Sequence, residues 1–174
     1  MATNIIFRPY ASTDKSVCLG LFDANCPEFF APNERVDYAE FLDANPFDYE
    51  LCLTEDKVAG AFGLSEHGLQ QKSLNWILLN PRSQRLGIGS VIMSRISAVA
   101  LDSGASLINI AASHKSSPFF AKFGAIEIAT IDNGWGVGYA SRRHGASLIK
   151  PKNSWFFDSC MQSLFVRRSI NYEA

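Results

Sequence analysis

The chain has 174 residues, enough for one domain with a sizeable core, and its 47% hydrophobic and 19% charged residues are those of an ordinary globular protein. Sixteen Lys and Arg against 17 Asp and Glu leave a net charge of −1, which gives no whole-chain electrostatic footprint for nucleic acid or an anionic membrane. No stretch approaches a membrane span and the start MATNIIFRPY lacks the pattern of a secretory leader, so a cytoplasmic protein with neither partner is expected. Cys18, Cys26, Cys52 and Cys160 are scattered without C-x-x-C spacing, and His67, His114 and His144 form no ligand pattern with them. Reduced thiols and no metal site are the expectation.

In chain order, Ile5, Phe7 and Tyr10 suit a first strand that Pro9 limits. Thr13 is a candidate N-cap, and Val17, Cys18, Leu21 and Phe22 repeat as one helical stripe that ends near Pro27. A second helix is expected over residues 33–42, with Val36, Phe41 and Leu42 on its apolar side. The segment between them holds Pro27, Glu28, Phe29, Phe30 and Pro32, and two prolines around an aromatic pair argue for an ordered loop. Strands follow over residues 49–54 and 58–64, joined by the polar turn Glu55-Asp56-Lys57, and a turn centred on His67-Gly68 leads to a strand over 73–80. Asn75 interrupts that strand's apolar run and either pairs within the sheet or faces a cleft.

The strand runs into a loop holding Gly87 and Gly89, then into an apolar-periodic segment of Val91, Ile92, Ile96, Val99 and Ala100 that Gly104 stops. Strand, Gly-containing loop and helix N-terminus in that order make an anion site, because the first helical turn has unpaired N–H groups at the positive end of its dipole. A P-loop would need a wider Gly pair and a following Lys-Ser/Thr, and a dinucleotide fingerprint would need Gly where Ile92 stands. Both readings fail. Residues 107–112 read as a buried strand, and strand–helix–strand alternation implies a parallel pair with a crossover. Ser117 before Pro118 is a helix start and Gly124 a stop. Residues 125–131 suit a strand, the loop of residues 132–139 with Trp135 and Tyr139 is Gly-rich, and residues 147–150 would be the last strand. From Pro151 a mostly apolar stretch with helical spacing either packs on the domain or forms a homodimer contact.

Residue for residue, Gln84-Arg85-Leu86-Gly87-Ile88-Gly89 resembles the Q/R-x-x-G-x-G/A signature of the GCN5-related N-acetyltransferases. The resemblance covers roughly residues 4–150. It implies a mixed, mostly antiparallel α/β sheet of six or seven strands with a splayed parallel pair and helices on both faces, an acetyltransferase domain over residues 1–150, and a separate extension over 151–174. It implies an acetyl group passing from acetyl-CoA to a primary amine of a small molecule or peptide. The pyrophosphate would sit on the backbone of Gln84, Arg85, Leu86, Gly87, Ile88, Gly89 and Ser90, and the thioester end along Ile77, Leu78 and Leu79. Glu28, Phe29 and Phe30 would border the acceptor, with Trp135 and Tyr139 from a closing loop.

Phe119, Phe120 and Gly124 fit the family's fourth-helix motif A-x-x-F-Y-x-x-x-G-F, with one departure. The Tyr that commonly protonates the leaving thiolate is Phe120 here, which has no proton to give. Phe120 and Ser116 would still line the pantetheine. The attacking amine must arrive neutral, the oxyanion needs a donor from the splayed strand near Leu79, and His114 is the one His near the expected cleft. No catalytic side chain stands out from these. Two other readings stand beside the enzyme: a CoA-binding module without turnover, motivated by Phe120, and an interaction protein using the apolar tail.

Overall fold

Strand β1 (Ile5–Pro9) is followed by helices α1 (Lys15–Asn25) and α2 (Glu34–Asp43), then by strands β2 (Tyr49–Thr54), β3 (Lys57–Gly68) and β4 (Gln71–Leu79). Helix α3 (Ile88–Asp102) crosses to β5 (Leu107–Ser113), and after a short α4 (Ser117–Ala121) come β6 (Ile126–Ile131) and β7 (Ser141–Ser147). The structure, a computed structural model, describes residues 4–131 and 141–147. The Gly-rich loop with Trp135 and Tyr139, and the apolar stretch from Pro151, lie outside the described residues.

The seven strands form one sheet in the order β1-β2-β3-β4-β5-β7-β6, with every neighbouring pair antiparallel except β4 and β5. Parallel neighbours need a crossover, which α3 provides. Alternate side chains go to opposite faces, so the sheet carries two cores. On one, Phe62, Leu64 and Leu74 meet Ile88, Ile92 and Ile96 of α3 and Phe120 of α4. On the other, Tyr49, Leu51 and Leu78 meet Cys18, Leu21 and Phe22 of α1 and Tyr38 and Leu42 of α2.

Leu74 and Trp76 are two residues apart on β4 yet pack on opposite faces. A regular strand would put them on the same face. The register explains it: Ala61 pairs with Leu78 but Gly63 pairs with Asn75, so Trp76 and Ile77 together oppose Phe62. This is a bulge, and Trp76 has φ +43 within it. Asn75 pairs within the sheet, its side-chain amide donating to Ser65 Oγ at 2.7 Å.

Several expectations need correction. Val17, Val36 and Val91 are 46%, 63% and 38% exposed. Asn25 continues the α1 stripe instead, the α2 face runs at a spacing of four through Glu34, Tyr38 and Leu42, and Met93 and Ser97 complete α3. A 3₁₀ turn at Ser12–Asp14 precedes α1, so Thr13 is not its cap. There the Asp14 carboxylate accepts from the Ala11 N–H at 3.0 Å. The β3–β4 hairpin turns at Leu69-Gln70, with Gly68 paired to Gln71, rather than at His67-Gly68. Helix α4 does start at Ser117, ahead of Pro118, with Ser116 as its N-cap residue. The last described strand, Ser141–Ser147, pairs with both β5 and β6 and is not among the expected strands, while residues 148–150 of the expected last strand lie outside the described residues. Gly104 and Gly124 do end their helices, with φ +78 and +77. Among the described residues no helix is long and apolar enough to cross a membrane.

Candidate active site

Strands β4 and β5 pair from Gln71 with Leu107 to Leu74 with Ile110, and there the pairing ends. Each strand continues with its outer neighbour: β4 stays on β3 as far as Leu79 with Gly60, and β5 stays on β7 as far as Ser113 with Ser141. The two strands therefore part from each other inside an otherwise intact sheet, and the gap opens at the bulge. The Asn80 N–H donates to the Ala59 carbonyl at 2.8 Å. By the alternation of an antiparallel ladder Leu78 also turns its N–H and C=O to β3, while Leu79 turns both toward the gap. Leu78 is 1% exposed, so its side chain is core.

The loop after β4 is shaped for close backbone approach. Asn80 Oδ1 accepts from the Arg82 N–H, and Arg85 and Gly87 both have positive φ, +62 and +80. Gly87 is the N-cap of α3, whose first ladder bonds run from Ser90 and Val91 to the Gly87 carbonyl at 3.0 and 3.2 Å. The amides of Ile88 and Gly89 precede that ladder. Arg85, Leu86, Gly87 and Ser90 are exposed, Gln84 and Gly89 half-buried and Ile88 buried. Arg82 and Arg85 make no ion pair among the described residues. A β-carbon at Gly89 would lie 3.0 Å from the Phe119 ring and 3.8 Å from a methyl of Leu79, so the loop, β4 and α4 converge there.

The segment between α1 and α2 lies on the opposite face. Its Cys26–Pro27 peptide is cis, and the Phe29 N–H donates to the Asn25 carbonyl at 2.8 Å. Phe30 stacks on Trp76 with centroids 6.1 Å apart and touches Phe22 at 5.3 Å. Phe29 is half-buried and Glu28 exposed. The three candidates thus diverge: Phe30 joins the aromatic cluster beside the bulge, Phe29 sits at the edge and Glu28 reaches water. Trp135 lies outside the described residues.

Phe120 is 3% exposed and lies in the α3 and α4 core. Ser116 Oγ is 3.0 Å from Ser113 Oγ, and His114, just past β5, is exposed. Sequence reasoning missed Asn25 and Tyr49. Asn25 Nδ2 donates to the Leu21 carbonyl at 2.8 Å and to the Leu79 carbonyl at 3.1 Å. The Tyr49 hydroxyl donates to the Trp76 carbonyl at 2.9 Å and lies 2.8 Å from the Tyr38 hydroxyl. Burial pushes both phenols up and raises the nearby Cys18 thiol to about 11, so the cluster stays protonated and able to donate. The α1 spacing Cys18, Leu21, Asn25 was the one available signal, since it sets a polar residue in a buried stripe. Among the described residues no group of three His, Cys, Asp or Glu could hold a metal.

The chain matches the profile of the acetyltransferase (GNAT) family over residues 18–125, from α1 to just past α4. No curated protein matches its sequence. Among solved structures it is similar to Ard1 from Thermoplasma volcanium, with a TM-score of 0.72 and 12% identity over 84% of this chain and 99% of that one. It is also similar to the ribosomal-protein-S18-alanine N-acetyltransferase from Escherichia coli, at TM-score 0.69 and 12% identity over 88% and 100% of the two chains. A third similar structure is an aminoglycoside 6'-N-acetyltransferase complexed with coenzyme A, at TM-score 0.66 and 13% identity over 84% and 98%. At such identities the likeness is one of fold.

Proposed function

The chain belongs to the GNAT acetyltransferase family, and from that premise we propose that it moves an acetyl group from acetyl-CoA to a primary amine of a small molecule or peptide. The observation that carries this reading is the parting of β4 and β5 after Leu74 and Ile110, beside a helix N-terminus with amides ahead of its ladder.

The residues present fit acetyl-CoA. The exposed left-handed turn at Gly87 and the amides of Ile88 and Gly89 suit a pyrophosphate, with Arg82 and Arg85, which make no ion pair among the described residues, beside it. Acetyl-CoA supplies the acetyl group as an activated thioester. Leu79 offers its N–H on the gap side, where a donor stabilises an oxyanion. Phe30 and Trp76 wall the α1 side, the side from which the amine approaches, and Phe29 and Glu28 border it. Phe120 gives no proton, so the proton that the attacking amine loses would reach the leaving thiolate through water or through the Ser116 hydroxyl acting as a relay.

Phe120 also favours a second reading, a CoA-binding module without turnover. One experiment separates the two: release of free thiol from acetyl-CoA across a panel of small primary amines and peptides with free N-termini. Amine-dependent release supports transfer, whereas binding of CoA with no release above the buffer rate for any amine supports the module.

A further inference from the structure

Two buried side chains from outside β4 each take one of its carbonyls beyond Leu74, where the pairing with β5 has ended. Trp76 is bulky and sits at φ +43, a conformation that persists only where the surroundings over-determine it. A bulge also leaves backbone groups off the ladder, and when buried these need partners. The Trp76 carbonyl finds the Tyr49 hydroxyl at 2.9 Å. Tyr49 is 0% exposed, and its ring lies over Gly63, where a β-carbon would come within 2.9 Å of Tyr49 Cδ2. A carbonyl can only accept, so Tyr49 must donate to Trp76, and Tyr38 then donates to Tyr49 at 2.8 Å. Three residues further on, the Leu79 carbonyl accepts from Asn25 Nδ2 at 3.1 Å, and the second proton of that amide goes to Leu21. Asn25 is 4% exposed.

We infer that Asn25 and Tyr49 are positioning residues for acetyl transfer: together they hold β4 from Trp76 to Leu79 so that the Leu79 N–H points into the gap. The inference rests on the gap being the seat of the thioester. Neither side chain is needed to touch the substrate. Holding the Leu79 carbonyl fixes the gap-side face of that residue, and holding the Trp76 carbonyl fixes the bulge that turns it there. Asn25 also accepts the Phe29 N–H through its own carbonyl, so the α1–α2 segment and the reacting strand are tied at one residue.

The test uses the full chain labelled with ¹⁵N-leucine, titrated with CoA and with acetyl-CoA, as wild type, Asn25→Leu and Tyr49→Phe. The thioester carbonyl is present only in acetyl-CoA, so the wild-type Leu79 amide should shift with acetyl-CoA and much less with CoA. In both variants CoA affinity should be retained while the acetyl-specific shift of Leu79 is lost. Retention of that shift in the folded variants overturns the inference, as does an equal loss of CoA affinity, which marks a general structural role. Tyr49→Phe removes one oxygen and decides the matter if Asn25→Leu does not fold. A wild-type protein that binds neither nucleotide sinks the acetyltransferase reading itself, an outcome distinct from a wild-type response that the variants share.

Discussion

The ring of Phe119 packs against the α-carbon of Gly89, so a β-carbon there would sit 3.0 Å from its Cε2 and 3.2 Å from its Cζ. Phe119 is half-buried and its ring can give way by a few tenths of an ångström. Gly89→Ala should therefore be tolerated, while Gly89→Val should cost about 1–3 kcal/mol by overpacking. Phe119→Leu should recover part of that loss, a coupling that a double-mutant cycle in urea unfolding would reveal. Gly60 offers the contrast. A β-carbon there would lie 2.8 Å from the Leu78 backbone oxygen and 3.0 Å from Ile92 Cδ1, so Gly60→Ala should destabilise more than Gly89→Ala. The reverse order would contradict the packing described.

Arg8 donates to both oxygens of Asp14 at 2.8 Å and holds that carboxyl below its ordinary value of 3.8. A carboxyl with a lower pKa folded than unfolded stabilises the fold fully above the unfolded value and loses that contribution as pH falls through the folded one. The Arg8 side chain is 40% exposed, and screening limits the pair to about 0.5–1 kcal/mol. Asp14→Asn keeps an acceptor for the Ala11 N–H but not the charge. The variant should be less stable by that amount at neutral pH, and the difference should close as the pH is lowered below 3.8. Thermal melts of both proteins across acid pH check this, and a constant difference would refute it.

Cys18 and Cys52 are both 0% exposed, and burial pushes each thiol up to about 11. The thiolate is the reactive form, so neither should alkylate at neutral pH in the native protein. Iodoacetamide labelling read by peptide mass should mark both only after denaturation. Labelling at the rate of an unfolded peptide would show that the cores around α1 and β2 are open.

Much of this architecture was legible in the sequence because its signals are local. The β2–β3 pair, the Gly-containing loop and the helix after it show in turn residues and in 3.6-residue spacing. The bulge left no such mark. Leu74 to Leu79 is an apolar run interrupted only by Asn75, and it reads the same whether the strand is straight or bulged. Asn25 lies in a legible stripe, but its partner Leu79 is 54 residues away, and nothing in α1 points to it. Strand β7 carries Arg142, Arg143 and His144 with no apolar alternation, and only pairing with β5 and β6 defines it. Val17, Val36 and Val91 misled because apolar type was taken for burial, when the helix phase had already been set by neighbours three and four residues away.

The central claim, that the turn from Arg85 to Ser90 receives the pyrophosphate of acetyl-CoA, is tested most directly by calorimetric titration of acetyl-CoA and CoA into the wild type and Ser90→Glu. Ser90 is exposed in the first turn of α3, where a carboxylate suits the helix dipole, so the variant should fold at least as well as the wild type. The same carboxylate would repel a pyrophosphate at that helix start. Saturable binding of both nucleotides by the wild type and at least a tenfold weaker affinity in the variant, about 1.4 kcal/mol, are expected. Equal affinity in the two proteins, or no binding by a folded wild type, would contradict the claim.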